Sequence, residues 1–138
     1  MMSIEHWQPN HIHEIELDED QRIAVDSNPH LMANLNCSTI AYTGRIDNQI
    51  IACVGLIDCS DEHGVLWSFI SKHASTHRFA LHRAAKRLLP LLGKNQLQAT
   101  ADSLKGCAWL ERLGFVAHDS LPKYGLDGKD HLRYVRNF

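Results

Sequence analysis

The spacing of apolar residues along the chain changes twice, and each change marks a new kind of element. At first apolar positions are sparse. Ile12, Ile15 and Ile23 can anchor one or two short helices, with Asn10 placed as a helix cap. Asn28-Pro29 suits a turn or a first helical position, and Leu31, Met32 and Leu35 follow at helical spacing. From Ser38 to Ile46 and from Gln49 to Ile57 the chain is instead rich in β-branched and apolar residues, with Asp47-Asn48 between the two runs. Both of these residues tolerate the positive φ of a two-residue turn, so the pair predicts an antiparallel hairpin. A polar turn from Asp58 to Gly64 leads to a third run, Val65 to Ser71, which completes a three-stranded meander.

The period then returns to that of a helix. Leu81, Ala85, Leu88 and Leu92 predict a buried stripe, with Ser75 or Thr76 as the cap and Gly93 as the stop. Pro90 is expected to loosen the last turn. Leu97 to Thr100 reads as a short strand. Asp102 or Ser103 caps a last helix that Gly114 closes, and Phe115–Leu121 and His131–Val135 form a final pair of strands. This order predicts an α/β (α+β) protein with a mixed, mostly antiparallel sheet flanked by helices.

Composition narrows the class. A chain of 138 residues with 44% hydrophobic and 22% charged residues is expected to form one globular domain over residues 1–138. No apolar run approaches the roughly 18–20 residues that span a bilayer. The first residues, MMSIEHWQPN, lack a basic region followed by an apolar one, so no signal peptide and no membrane partner are expected, and the expected compartment is cytoplasmic. The cysteines Cys37, Cys53, Cys59 and Cys107 lack close pairing and read as reduced thiols in or near the core. Charge is unevenly spread: Glu14, Glu16, Asp18, Glu19, Asp20 and Asp26 face the single Arg22, whereas Lys72, Arg78, Arg83, Lys86, Arg87 and Lys94 have no acidic residue among them.

Two further chemistries can be weighed. His73 and His77 could share a helical face and His11 and His13 could pair on a strand, but neither pair has a third ligand at a standard spacing, so no metal is expected. The basic helix is compatible with nucleic acid, yet its charges alternate with core-facing leucines rather than with exposed aromatics. A phosphate-bearing cofactor explains the charge with fewer assumptions.

From about Ile4 to Val135 the order of elements resembles the GNAT superfamily of acyl-CoA N-acyltransferases. The hairpin from Ile40 to Ile57 with Gly55 in its second strand, the strand Val65–Ser71 and the helix Leu81–Leu92 are similar to the family's second, third and fourth strands and its central helix. Leu110-Glu111-Arg112-Leu113-Gly114-Phe115 corresponds to the family's apolar-or-aromatic-Glu-x-x-Gly-Phe, and Tyr124-Gly125-Leu126-Asp127-Gly128-Lys129-Asp130 is similar to its final hairpin turn.

The resemblance implies acetyl-CoA as co-substrate and an amine-bearing small molecule or protein as acceptor, with room for a homodimer. It implies that a backbone amide near Ile70 or Ser71 polarises the thioester carbonyl, and that Ser75, Thr76, His77, Arg78, Phe79 and Ala80 occupy the pyrophosphate loop. For a general base it points to Asp58 or Glu62. Only Ala80 matches the family's Gln/Arg-x-x-Gly-x-Gly/Ala, and Arg78 stands in place of a glycine. Leu110 replaces the usual thiolate-protonating tyrosine, which leaves Tyr124 as a substitute acid. These departures keep a second expectation open: a non-catalytic binding or structural protein on the same scaffold, like the small GNAT-like proteins of tailed phages that act in virions or on host proteins.

Overall fold

A computed structural model describes residues 1–124 and 128–138. In chain order the elements are β1 (Ser3–His6), α1 (His11–Glu14), α2 (Glu19–Asp26), α3 (Leu31–Asn36), β2 (Ile40–Ile46), β3 (Gln49–Asp58), β4 (His63–Ile70), a 3-10 turn (Ala74–His77), α4 (Arg78–Leu91), β5 (Gln96–Ala101), α5 (Leu104–Arg112), β6 (Val116–Leu121) and β7 (His131–Asn137). The strands form one seven-stranded sheet in the order β1-β2-β3-β4-β5-β7-β6. Every neighbouring pair is antiparallel except β4 and β5, which are parallel and joined by α4 as the crossover. The mixed, mostly antiparallel sheet flanked by helices is the one expected from the hydrophobic pattern.

Local chemistry explains most boundaries. Asp47 and Asn48 adopt φ of 50° and 67°, the left-handed pair that matches the twist of a β2–β3 hairpin. The Ser103 hydroxyl accepts the Gly106 N–H at 3.0 Å and caps α5. Gly93 and Gly114, at φ of 73° and 91°, end α4 and α5.

The edge strand β1 precedes the helices expected at the start of the chain and is not among the expected elements. Its four residues are exposed and polar apart from Ile4, so they carry no alternation to read, and the ladder to β2 alone makes them a strand. Ser75 and Thr76 do not cap α4. Ala74 is buried against Ile46 and Ile51 and its N–H bonds the Ser71 carbonyl at 3.0 Å, which winds a 3-10 turn ahead of the helix and leaves His77 at the N-cap without a side-chain bond. His11 and His13 lie in α1 rather than on a strand. Cys53 is buried and Cys107 half-buried, but Cys37 and Cys59 are exposed rather than near the core.

Helices cover the two faces unequally. One face, over β3 and β4, carries α1–α3 through Ile12, Ile15, Leu17, Val25, Leu31 and Leu35, packed on Ile50, Cys53 and Phe69. The opposite face carries α4 and α5, with Leu89, Leu113 and Phe115 packed on Leu56, Leu97, Ala99 and Tyr134. The Trp109 indole N–H donates to His82 Nδ1 at 3.2 Å and ties these two helices together. In α4 the buried residue is Leu89, one position beyond the expected stripe, while Leu81, Ala85, Leu88 and Leu92 are half-buried. At the edge of the sheet the β6–β7 register shifts between Ala117 and Asp119, a bulge at His118.

One glycine is fixed by a neighbour. Gly55 lies opposite Trp67, whose indole lies over it; a Cβ there would meet Trp67 Cε2 at 2.2 Å. The same indole donates to Ser38 Oγ at 2.6 Å and meets the Trp7 ring edge-on at 5.4 Å. Gly55→Ala is therefore expected to displace Trp67 and cost about 1–3 kcal/mol. The shift of the denaturant midpoint, followed by tryptophan fluorescence, measures it.

Candidate active site

The parallel ladder between β4 and β5 is short: His63, Gly64 and Val65 pair with Gln96, Leu97 and Gln98, and then the strands part. Beyond that point β4 continues to Ile70 against β3 alone, and β5 continues to Ala101 against β7 alone. The sheet is thus split in a V that opens toward the C-terminal ends of both strands.

The direction of the backbone groups along the split follows from the antiparallel β3–β4 ladder. The Ser71 N–H donates to the Ile51 carbonyl at 2.8 Å, and the Cys59 N–H donates to the His63 carbonyl at 2.9 Å. Bonded and non-bonded pairs alternate, so residues 63, 65, 67, 69 and 71 address β3. Leu66, Ser68 and Ile70 then turn their N–H and C=O groups toward β5, where beyond Val65 no strand pairs with them. From Leu66 to Ile70 this row is about 13 Å long at 3.3 Å per residue.

Of the two amides offered by the sequence, Ile70 faces the split and Ser71 does not. Ser71 is 4% exposed; its N–H is spent on Ile51 and its hydroxyl accepts the His73 N–H at 3.1 Å, so it braces the exit from β4. Ser75, Thr76, His77, Arg78, Phe79 and Ala80 follow within a few residues of Ile70, which places the start of α4 at the open end of the V. Ser75 and Thr76 are exposed within the 3-10 turn. The Arg78 guanidinium lies 5.0 Å from the Phe79 ring centroid, and Phe79 is 69% exposed. Ala80 instead packs inward beside Ile46 and Ile51.

Asp58 and Glu62 lie at the other, zipped end. The Glu62 carbonyl accepts the N–H groups of Asn95 and Gln96 at 2.8 and 3.0 Å, where β5 begins. Asp58 pairs with Lys94 Nζ at 2.9 Å, and that hydrogen bond, chiefly, holds its carboxyl below the usual range. The carboxylate is kept anionic and already engaged, which makes it a weak proton acceptor. The acidic stretch has also found structural partners. Glu14 bonds Arg45, Glu16 contacts His73, Asp18 accepts the Gln21 N–H at 2.8 Å to cap α2, and Asp26 pairs with Arg22 at 3.7 Å.

On the β5 side, Leu97 and Ala99 are buried under α4 and α5, so Gln98 and Thr100 point to the opposite face. There Thr100 Oγ1 lies 3.1 Å from His131 Nδ1, and His131 Nε2 lies 3.8 Å from the Asp102 carboxylate. The exposed Tyr124 ring sits 5.5 Å from the His131 ring, and beside them Arg133 makes two 2.7 Å bonds to Asp119. Of the turn motif read from the sequence, residues 125–127 lie outside the described residues. Sequence reading did not find the Thr100–His131–Asp102 group, because Thr100 and Asp102, at the end of β5, meet His131 only across the β5–β7 ladder. Leu110 packs in the α4–α5 core. Among the described residues no group of three or more His, Cys, Asp or Glu is gathered as a metal site would need, and no helix is long and apolar enough to cross a membrane.

No protein-family model matches this sequence, nor does any protein of curated function. Solved structures do match across the whole chain. The fold is similar to that of Ard1 from Thermoplasma volcanium, with a TM-score of 0.74, 15% identity and 99% and 97% of the two chains covered. It is similar to an IAA acetyltransferase from Bacillus cereus, with a TM-score of 0.73, 13% identity and full coverage of both chains. A GNAT family acetyltransferase from Elizabethkingia anophelis, with acetyl-CoA bound, matches with a TM-score of 0.64 at 14% identity, covering 99% and 98% of the two chains. The chain therefore has the GNAT-type fold.

The Asp58–Lys94 pair yields a direct expectation. A carboxyl with a depressed folded-state pKa stabilises the fold above its unfolded value, and this contribution is lost as pH falls through the folded value. In Lys94→Met the Asp58 carboxyl should titrate closer to the ordinary carboxylate range, and the acid limb of the stability curve should flatten. A chemical-shift titration of Asp58 in both proteins checks this.

Proposed function

We propose that this chain, as a single GNAT-type domain over residues 1–138, transfers an acetyl group from acetyl-CoA to an amine of a small molecule or a protein. The observation that carries the reading is the split between β4 and β5. A row of backbone groups at Leu66, Ser68 and Ile70 faces a gap with no strand in it, as an extended amide-bearing chain would require. An N–H aimed into the same gap can stabilise the oxyanion that forms when an amine attacks a thioester.

The residues at the open end support a polyphosphate there. Arg78 and Lys72 are exposed beside the exit of β4, and Arg83, Lys86 and Arg87 continue the positive charge along the exposed side of α4. With no glycine in the loop, side-chain charge takes over from close backbone approach, so Arg78 is the residue expected to hold the pyrophosphate. The thiolate leaves without a tyrosine at position 110; a thiolate is a good leaving group and can take its proton from the attacking nitrogen.

The missing glycines and Leu110 favour one other reading, a GNAT-type protein that binds a partner without catalysis, as in a phage virion or in interference with a host protein. A thermal-shift titration with acetyl-CoA and with CoA separates the two. A true site stabilises the fold by about 2.7 kcal/mol at one hundred times the dissociation constant. Arg78→Ala should weaken CoA binding about tenfold or more, the loss of one charge-assisted contact of about 1.5–3 kcal/mol. No stabilisation at millimolar ligand would leave the non-catalytic reading standing.

A further inference from the structure

We propose that His131, working through the Thr100 hydroxyl and facing Asp102, is the general base that takes the proton from the acceptor amine. The proposal rests on the acetyl-transfer reading and assigns a proton acceptor within it.

Three observations meet at this residue. First, Thr100 lies on the stretch of β5 that has lost β4, so its side chain borders the split on the face opposite α4 and α5. Second, His131 is 18% exposed, with Nδ1 at 3.1 Å from the Thr100 hydroxyl and Nε2 facing Asp102 at 3.8 Å. In the tautomer with the proton on Nε2, Nδ1 is free to accept the Thr100 proton, and Asp102 is placed to stabilise the imidazolium. Third, the guanidinium beside the ring is already engaged elsewhere. Arg133, the next residue on the same face of β7, is bound at two points by Asp119 of β6. Tyr124, from the connection between β6 and β7, presents its ring to the imidazole. The two carboxylates suggested by the sequence lack this position: they sit at the zipped end, and one is bound by Lys94.

The step balances as follows. The ammonium group of the acceptor gives one proton to Thr100 Oγ1 as Thr100 passes its own to His131 Nδ1. The neutral amine attacks the thioester carbon, forming the C–N bond, and the C–S bond breaks. The second nitrogen proton goes to the departing thiolate, and the imidazolium releases its proton to water. No oxidant or metal is required.

The test uses two nucleophiles with acetyl-CoA: ethylamine, which is protonated at neutral pH, and hydroxylamine, whose nitrogen is largely neutral there. In H131Q, kcat/KM for ethylamine should fall by about 100-fold or more, the usual contribution of a general base. Hydroxylamine turnover should stay within a few-fold, and the CoA thermal shift should be unchanged. Thr100→Val should reproduce the selective loss without touching the ring, which keeps the test decisive if H131Q folds poorly. Equal losses for both nucleophiles, or no loss for ethylamine, would overturn the role of His131 while leaving acetyl transfer intact. Absence of a CoA shift and of turnover in the unaltered protein would overturn acetyl transfer itself, and this role with it.

Discussion

Parallel pairing between β4 and β5 ends at Val65 and Gln98, and the site is organised by that early stop. A parallel ladder is satisfied only while both strands keep one direction and one twist, and here each strand has a stronger antiparallel partner pulling it aside. β4 follows β3 to Ile70, and β5 follows β7 to Ala101. The separation costs exposed backbone groups in the middle of the sheet, which a folded chain rarely tolerates without a partner. An extended ligand that restores those bonds would be held by the same forces that hold a strand, with little demand on side-chain identity.

Electrostatics separates the two halves of the molecule. The acidic side chains near the start of the chain are largely consumed by the fold: Arg45 links Glu5 on β1 to Glu14 on α1, Glu16 meets His73 at the exit of β4, and Asp18 caps α2. Among the described residues the basic side chains of α4 form no ion pair, and the helix itself contains no acidic residue. A net charge of −2 therefore conceals a positive surface at the open end of the split. The linear charge map shows an acidic stretch and a basic one of similar weight; in three dimensions Glu14, Glu16, Asp18 and Asp26 are tied into the fold, whereas Arg78, Arg83, Lys86 and Arg87 stand exposed along α4.

Much of the scaffold is legible in the residues themselves. Asp47-Asn48, Gly93, Gly114 and Ser103 each act within a few positions of the chain, so their effects can be read locally. β1 cannot be, because Ser3–His6 owes its conformation to β2, about forty residues away. The same holds for the loop before α4: Ser75 and Thr76 have the right chemistry for a cap, but the burial of Ala74 against Ile46 and Ile51 decides where the helix starts. The site is less legible still. Ile70 and Ser71 differ in role only through the parity of the β3–β4 ladder, and Thr100 meets His131 only because β7 inserts between β5 and β6. These are facts of register, which no local pattern contains.

An open sheet with seven strands has two exposed edges, and exposed edges invite other chains to add to them. At β6 the bulge at His118 interrupts the regular row of donors and acceptors, so an incoming strand cannot stay in register along its length. The flanking Asp119, drawn inward by Arg133, adds a charge on the face beside it. The irregularity thus guards this edge against unplanned growth of the sheet.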